Sequence, residues 1–133
     1  MELYNQTEDI NLVGVQVKTF PTGIKEAFES LIKTFGNRAF YGVSWMDKEN
    51  HIIYYAMAQK ALDDKVNLNN YETLTIRKGV YEYETLYNWM EKTDCIKDVF
   101  TRLTAGRMPD KNHPCIEWYK SPDEMVCMIK ADS

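Results

Sequence analysis

Few residues of this chain are equipped for chemistry, and the most pointed of them is a carboxylate. Glu117 stands at the centre of "CIEWY", residues 115 to 119, where every neighbour is apolar or aromatic. A desolvated carboxylate has two uses. It can offset the charge of an organic cation whose body rests on aromatic rings, or, with its pKa raised by burial, it can serve as a general base on water. Other chemistries have less to stand on. His51 and His113, with Cys95, Cys115 and Cys127, show no zinc-ligand spacing, so neither a metal site nor a cofactor is expected. Ser44 and Ser121 have no histidine suited to activate them. Walker loops and nucleophile elbows are absent from the sequence.

The bulk composition narrows the classes. A chain of 133 residues, 44% hydrophobic and 27% charged, is a single domain with a real core rather than a disordered segment. The net charge of −4 comes from interspersed acids and bases with no Lys/Arg cluster, which argues against a phosphate-tracking surface. The opening "MELYNQTEDI" lacks the basic start and apolar stretch of a signal peptide, and no apolar run approaches membrane-spanning length. A cytoplasmic protein without membrane contact is expected, its odd number of cysteines reduced. The nine tyrosines and three tryptophans fit either a β-rich core or an aromatic-lined cavity.

The elements that must hold Glu117 repeat. Residues 10–20 alternate apolar and polar, predicting a strand that stops at Pro21. Thr22 is placed to cap a helix in which Ile24, Ala27, Phe28, Leu31, Ile32 and Phe35 share one face, and Gly36-Asn37 supplies its stop. "FYGVSW", a polar turn and "HIIYYAMAQ" read as a hairpin. After a polar connection over residues 60–70, "YETLTIRKGVYEYETL" is extended, with Gly79 marking a bulge or tight bend. "YNWMEKTD" predicts a short helical turn. A second helix runs from Cys95 with Asp94 as its cap, Ile96, Val99, Phe100 and Leu103 on one side, and Gly106 and Pro109 closing it. "PCIEWYKSPDEMVCMIKA" is the second hairpin. Two βαββ units, about 10–59 and 72–130, predict an α+β fold: an antiparallel sheet with both main helices on one face and a ligand cleft between the halves.

Period-two alternation sets Ile116 and Trp118 on one face of the Glu117 strand and Cys115, Glu117 and Tyr119 on the other. The helices need an apolar cover, which Ile116 and Trp118 suit, leaving Glu117 and Tyr119 on the opposite side. If that side is wet, Glu117 is solvated or paired with a lysine. If it is a pocket, Tyr119 joins its wall. Trp45, placed in the first hairpin much as Trp118 is in the second, fits either core packing or a pocket wall. Met57, Met125 and Met128 fit a plastic lining as well as ordinary core filling.

These pieces together resemble a known family. "GVQVKTFPTGIKEAFESL", "YGVSW…IIYYAMA", "LTIRKGVYEYETL" and "PCIEWYKSPDEMVCMIK" occur in the order seen in stand-alone effector-binding domains, similar to the C-terminal half of bacterial multidrug-sensing transcription activators and to gyrase-inhibitory-protein-like (GyrI-like) proteins. The resemblance spans nearly all of residues 1–133. It implies a duplicated βαββ fold with an aromatic pocket between the halves and makes Glu117 the pocket glutamate. It also implies ligand-binding positions at Tyr55, Tyr81 and Trp89, with Tyr54 the adjacent alternative to Tyr55. The implied function is binding of a small amphipathic molecule, a cation being the charge-matched case, as a stand-alone regulator, sensor or sequestering domain. The resemblance also raises a hydrolase with Glu117 as general base and Tyr81 as proton donor. No helix-turn-helix segment is evident, so direct nucleic-acid binding is not expected. A protein partner or homodimer stays open.

Overall fold

The computed structural model describes residues 2–19, 22–61, 70–91, 95–104, 109–121 and 123–131. Pro21, Asp94, Gly106 and most of the 60–70 connection lie outside the described residues. The described elements are β1 (Glu2–Gln6), β2 (Ile10–Gln16), α1 (Ile24–Phe35), β3 (Phe40–Met46), β4 (Ile52–Gln59), β5 (Glu72–Ile76), β6 (Gly79–Tyr87), α2 (Ile96–Thr104), β7 (Cys115–Tyr119) and β8 (Glu124–Lys130). A 3-10 turn spans Trp89–Glu91. The α+β fold expected from the sequence is the one observed. Thr22 does not cap α1 with its side chain; Gly23, at φ 91°, holds the N-cap position, and Thr22 accepts a hydrogen bond from Thr19 Oγ1 through its carbonyl.

All eight strands form one antiparallel sheet in the order β1-β6-β8-β7-β3-β4-β2-β5. The two βαββ units sit on either side of the β3–β7 seam, in equivalent places. Their edges are exchanged. β5 opens the second unit in the chain but pairs with β2 of the first, while β1 precedes the first unit but pairs with β6 of the second. β1 had no clear signal in the sequence, and "YETLTIRKGVYEYETL" is not one extended segment. It breaks at Arg77–Lys78, and Gly79, at φ 142°, opens β6, one strand in from the opposite edge.

The exchange curls the sheet into a half-barrel whose two faces are both buried. On one face lie two helix-side cores. Val13, Leu31, Phe35, Tyr54 and Ala56 pack around α1, and Val99, Leu103, Met125, Cys127 and Ile129 around α2. Inside the curl, Leu12, Val43, Met57 and Ile76 from the first unit's side meet Tyr81, Ile116 and Met128 from the second's. The Lys78 amide donates to Asp9 Oδ1 at 2.7 Å, tying the β5–β6 corner to the β1–β2 corner.

This arrangement reverses one expectation. Ile116 packs inside the curl, and Trp118 stacks there on Tyr41 with ring centroids 6.3 Å apart. Cys115, Glu117 and Tyr119 therefore face the helices. An apolar strand face identifies the helix side only when the other face is wet, and here neither face is.

Leu31 and Leu103 are each about 1% exposed and belong to different helix-side cores. Leu31→Ala and Leu103→Ala should each cost about 2–5 kcal/mol. Urea denaturation should find the double variant additive to within about 0.5 kcal/mol, because the two residues share no cluster.

Candidate functional site

Three strands deliver three polar side chains to one point on the helix side. Glu117 on β7 is opposite Gly42 on β3 across the seam and opposite Cys127 on β8. Tyr54 reaches the same place from β4, with Ala56 at the next same-facing position opposite Gly42. Tyr119, two residues beyond Glu117, lies on its face. The Tyr119 hydroxyl donates to Glu117 Oε1 at 2.9 Å, the Tyr54 hydroxyl approaches the same oxygen at 3.3 Å, and the two hydroxyls are 2.9 Å apart. Both address Oε1; among the described residues no hydrogen bond engages Oε2.

Glu117 is 9% exposed, and that burial sets its electrostatics. Desolvation pushes its carboxyl above the ordinary range, and the hydrogen bonds from Tyr119 and Tyr54 pull only partly back. The tyrosines respond in turn. Burial, and then the nearby Glu117 charge, hold both hydroxyls well above their usual pKa. Burial and the same charge drive the Cys115 thiol up to about 12 and the Cys127 thiol up as well, so both remain inert thiols.

Aromatic rings close around this cluster. Tyr119 meets Phe28 of α1 edge-on with centroids 5.1 Å apart, and Trp89 of the 3-10 turn at 5.2 Å. Trp89 is fixed by its indole N–H, which donates to the Ser121 carbonyl at 3.1 Å. Gly42 leaves the floor bare. A Cβ there would come within 2.6 Å of Glu117 Oε1 and closer still to the Tyr54 hydroxyl, so only glycine lets both polar ends occupy this space.

Of the residues the sequence singled out, Glu117, Tyr119 and Trp89 come together. Tyr55, Trp45 and Tyr81 lie on the opposite face of the sheet. Tyr55 stacks on Trp45 with centroids 5.4 Å apart, and the Tyr81 hydroxyl donates to the Arg77 carbonyl at 2.6 Å. Tyr54, the neighbour of Tyr55 in "IIYYAMA", is the tyrosine at the carboxylate. Strand register decides between them: Tyr54 shares a face with Ala56, and Ala56 is opposite Gly42. Phe28 and Gly42 carried no functional signal beyond a helical apolar stripe and a strand glycine. No group of three or more His, Cys, Asp or Glu side chains among the described residues is placed to hold a metal ion. Among them, too, no helix is long and apolar enough to cross a membrane.

No protein-family model matches the chain, and no curated protein matches it by sequence. Solved structures do. SAV2435, solved with bound tetraphenylphosphonium, superposes with a TM-score of 0.65 at 12% identity, over 100% of this chain and 95% of that one. A protein of Staphylococcus aureus MU50 provisionally assigned to bacterial transcription regulation gives 0.56 at 14% identity, over 98% and 97%. A hydrolase from Listeria innocua gives 0.52 at 11% identity, over 98% and 91%. The chain shares their fold. The resemblance to effector-binding domains is thus borne out in the architecture, across almost the whole chain.

Two outcomes test the geometry. Because the folded Glu117 pKa is raised, the native state keeps a proton that the unfolded chain releases near 4.5. Its contribution is full below that value and lost as pH rises through the folded pKa. Urea midpoints should therefore show Glu117→Gln more stable than the wild type at pH 8 and no more stable at pH 4. Gly42→Ala should cost about 1–3 kcal/mol by overpacking, and ultraviolet difference spectra should report displaced tyrosines.

Proposed function

We propose that the chain binds a small amphipathic organic cation against Glu117, between the two helices, as a sensor or sequestering domain. One observation carries this reading: a largely buried carboxylate is hydrogen-bonded through one oxygen, leaves the other accessible and without a partner among the described residues, and is bordered by aromatic rings. An ionised carboxylate in such a place is costly unless a positive charge compensates it. Tyrosine hydroxyls lower that cost without cancelling the charge. A cation would cancel it through Oε2, while the faces of Tyr119, Phe28 and Trp89 hold its apolar body. The shared fold with SAV2435, which binds tetraphenylphosphonium, supports the same class of guest.

Hydrolysis is the second reading, favoured by the raised pKa of Glu117 and by the hydrolase of like fold. Its proton donor would be Tyr54 or Tyr119, because Tyr81 is on the far face of the sheet. Steady turnover of an electrophilic ester or epoxide, abolished in Glu117→Gln, would establish it.

Calorimetric titration with tetraphenylphosphonium separates these readings. Binding should be saturable, and Glu117→Gln should weaken it about tenfold to a hundredfold, the worth of one close opposite charge. A proton must leave before the cation binds. Affinity should therefore rise with pH by about tenfold per unit below the Glu117 pKa and level off above it. Undiminished affinity in Glu117→Gln would end the cation reading.

A further inference from the structure

A cavity opens on the face of the sheet away from Glu117. It measures about 540 Å³, within the usual range for small-molecule sites. Leu12, Val43, Trp45, Ile76 and Ile116 supply its apolar wall from inside the curled sheet. Its mouth is basic. Arg77 from the β5–β6 corner, Lys111 from the loop before β7 and Lys130 from the end of β8 converge on it, and none of its lining residues is acidic.

That local charge runs against the chain's net charge of −4. Among the described residues, none of the three cations has an ion-pair partner. Acids on the flanking loops have other partners, Asp110 lying 3.3 Å from His113 Nδ1 and Asp9 acting on Tyr81. Asp9 accepts the Lys78 amide, and Asp110 accepts the amides of Asn112 and His113. Three like charges around an apolar hollow repel one another, and an anion entering the mouth relieves that repulsion. The Lys130 stem also lies over the bare backbone of Gly79, where an added Cβ would sit 3.2 Å from Cε.

We propose that this cavity binds an amphipathic organic carboxylate, its apolar body against Trp45 and Ile116 and its head group held by Arg77, Lys111 and Lys130. The ligand class is opposite in charge to the one assigned to Glu117, and the sheet separates the two sites, so neither proposal depends on the other.

Laurate tests it, displacing the fluorescent sulfonate 1-anilinonaphthalene-8-sulfonate from the full chain. Both anions should bind with one-to-one saturation. Lys111→Glu with Lys130→Glu should weaken laurate at least about tenfold, since each substitution turns an attraction into a repulsion. Tetraphenylphosphonium affinity should stay unchanged in that variant, and laurate affinity unchanged in Glu117→Gln. Lys111→Ala, on an exposed side chain, gives a smaller loss and guards against misfolding of the double variant. The proposal is overturned if dodecyltrimethylammonium displaces the probe as well as laurate does. Charge reversal that leaves laurate affinity intact overturns it equally.

Discussion

A carboxylate held under two helices by two tyrosine hydroxyls on one of its oxygens is the interaction to which the helix-side layer conforms. The desolvation cost of the acid demands donors, and the donors come from two different strands, β4 and β7. Their convergence demands space, which Gly42 provides by having no side chain. The duplicated architecture sharpens the point. Gly42 and Glu117 are opposite each other at the seam and occupy corresponding places in the two units, since Gly42 pairs onward with Ala56 as Glu117 does with Cys127. An acid in both units would set two carboxylates side by side, and one would be forced to keep a proton. The pair of acid and glycine avoids that conflict and leaves a single charge at the seam.

β3 and β7 lie at the centre of the eight-stranded sheet, and the edge strand beside each unit, β5 or β1, comes from the stretch of chain that leads into the other. Separating the halves would strip both edges at once. Glu117 therefore sits on a strand paired on both sides rather than on a loop, so the backbone that carries it is held by two ladders. The same exchange curls the sheet and buries its second face. As a result, one sheet carries an acidic, hydroxyl-rich centre on its helix side and a basic-mouthed hollow on the other.

Much of this was legible in the sequence because it rests on local periodicity. The helical faces of Ile24–Phe35 and Ile96–Thr104, both hairpins, and the alternation around Glu117 all depend on spacing alone. What escaped is what depends on distant pairing. β1 is short and largely exposed, so its residues show no buried face to read. The break between β5 and β6 is a topological event, with Gly79 its only local trace. The orientation of Ile116 and Trp118 was inverted because the rule of apolar residues under helices presumes a single core. The choice between Tyr54 and Tyr55 hangs on register, which a one-residue shift reverses. Trp45 and Tyr81, grouped with Glu117 from the sequence, line the cavity on the other face for the same reason.

The electrostatics of the site bear on which chemistry it suits. Proton transfer to a leaving group is most efficient from an acid whose pKa lies near the working pH. Tyr54 and Tyr119 are held well above the ordinary phenol value by burial and by the adjacent carboxylate, so they part with protons reluctantly. The property that makes them poor acids leaves them neutral hydrogen-bond donors at every physiological pH. Two permanent donors on Oε1 steady an ionised carboxylate without quenching its charge, which is what a counter-ion for a bound cation requires. A general base gains from the raised Glu117 pKa but finds no matching acid beside it. These features support the proposed cation binding over the hydrolytic reading.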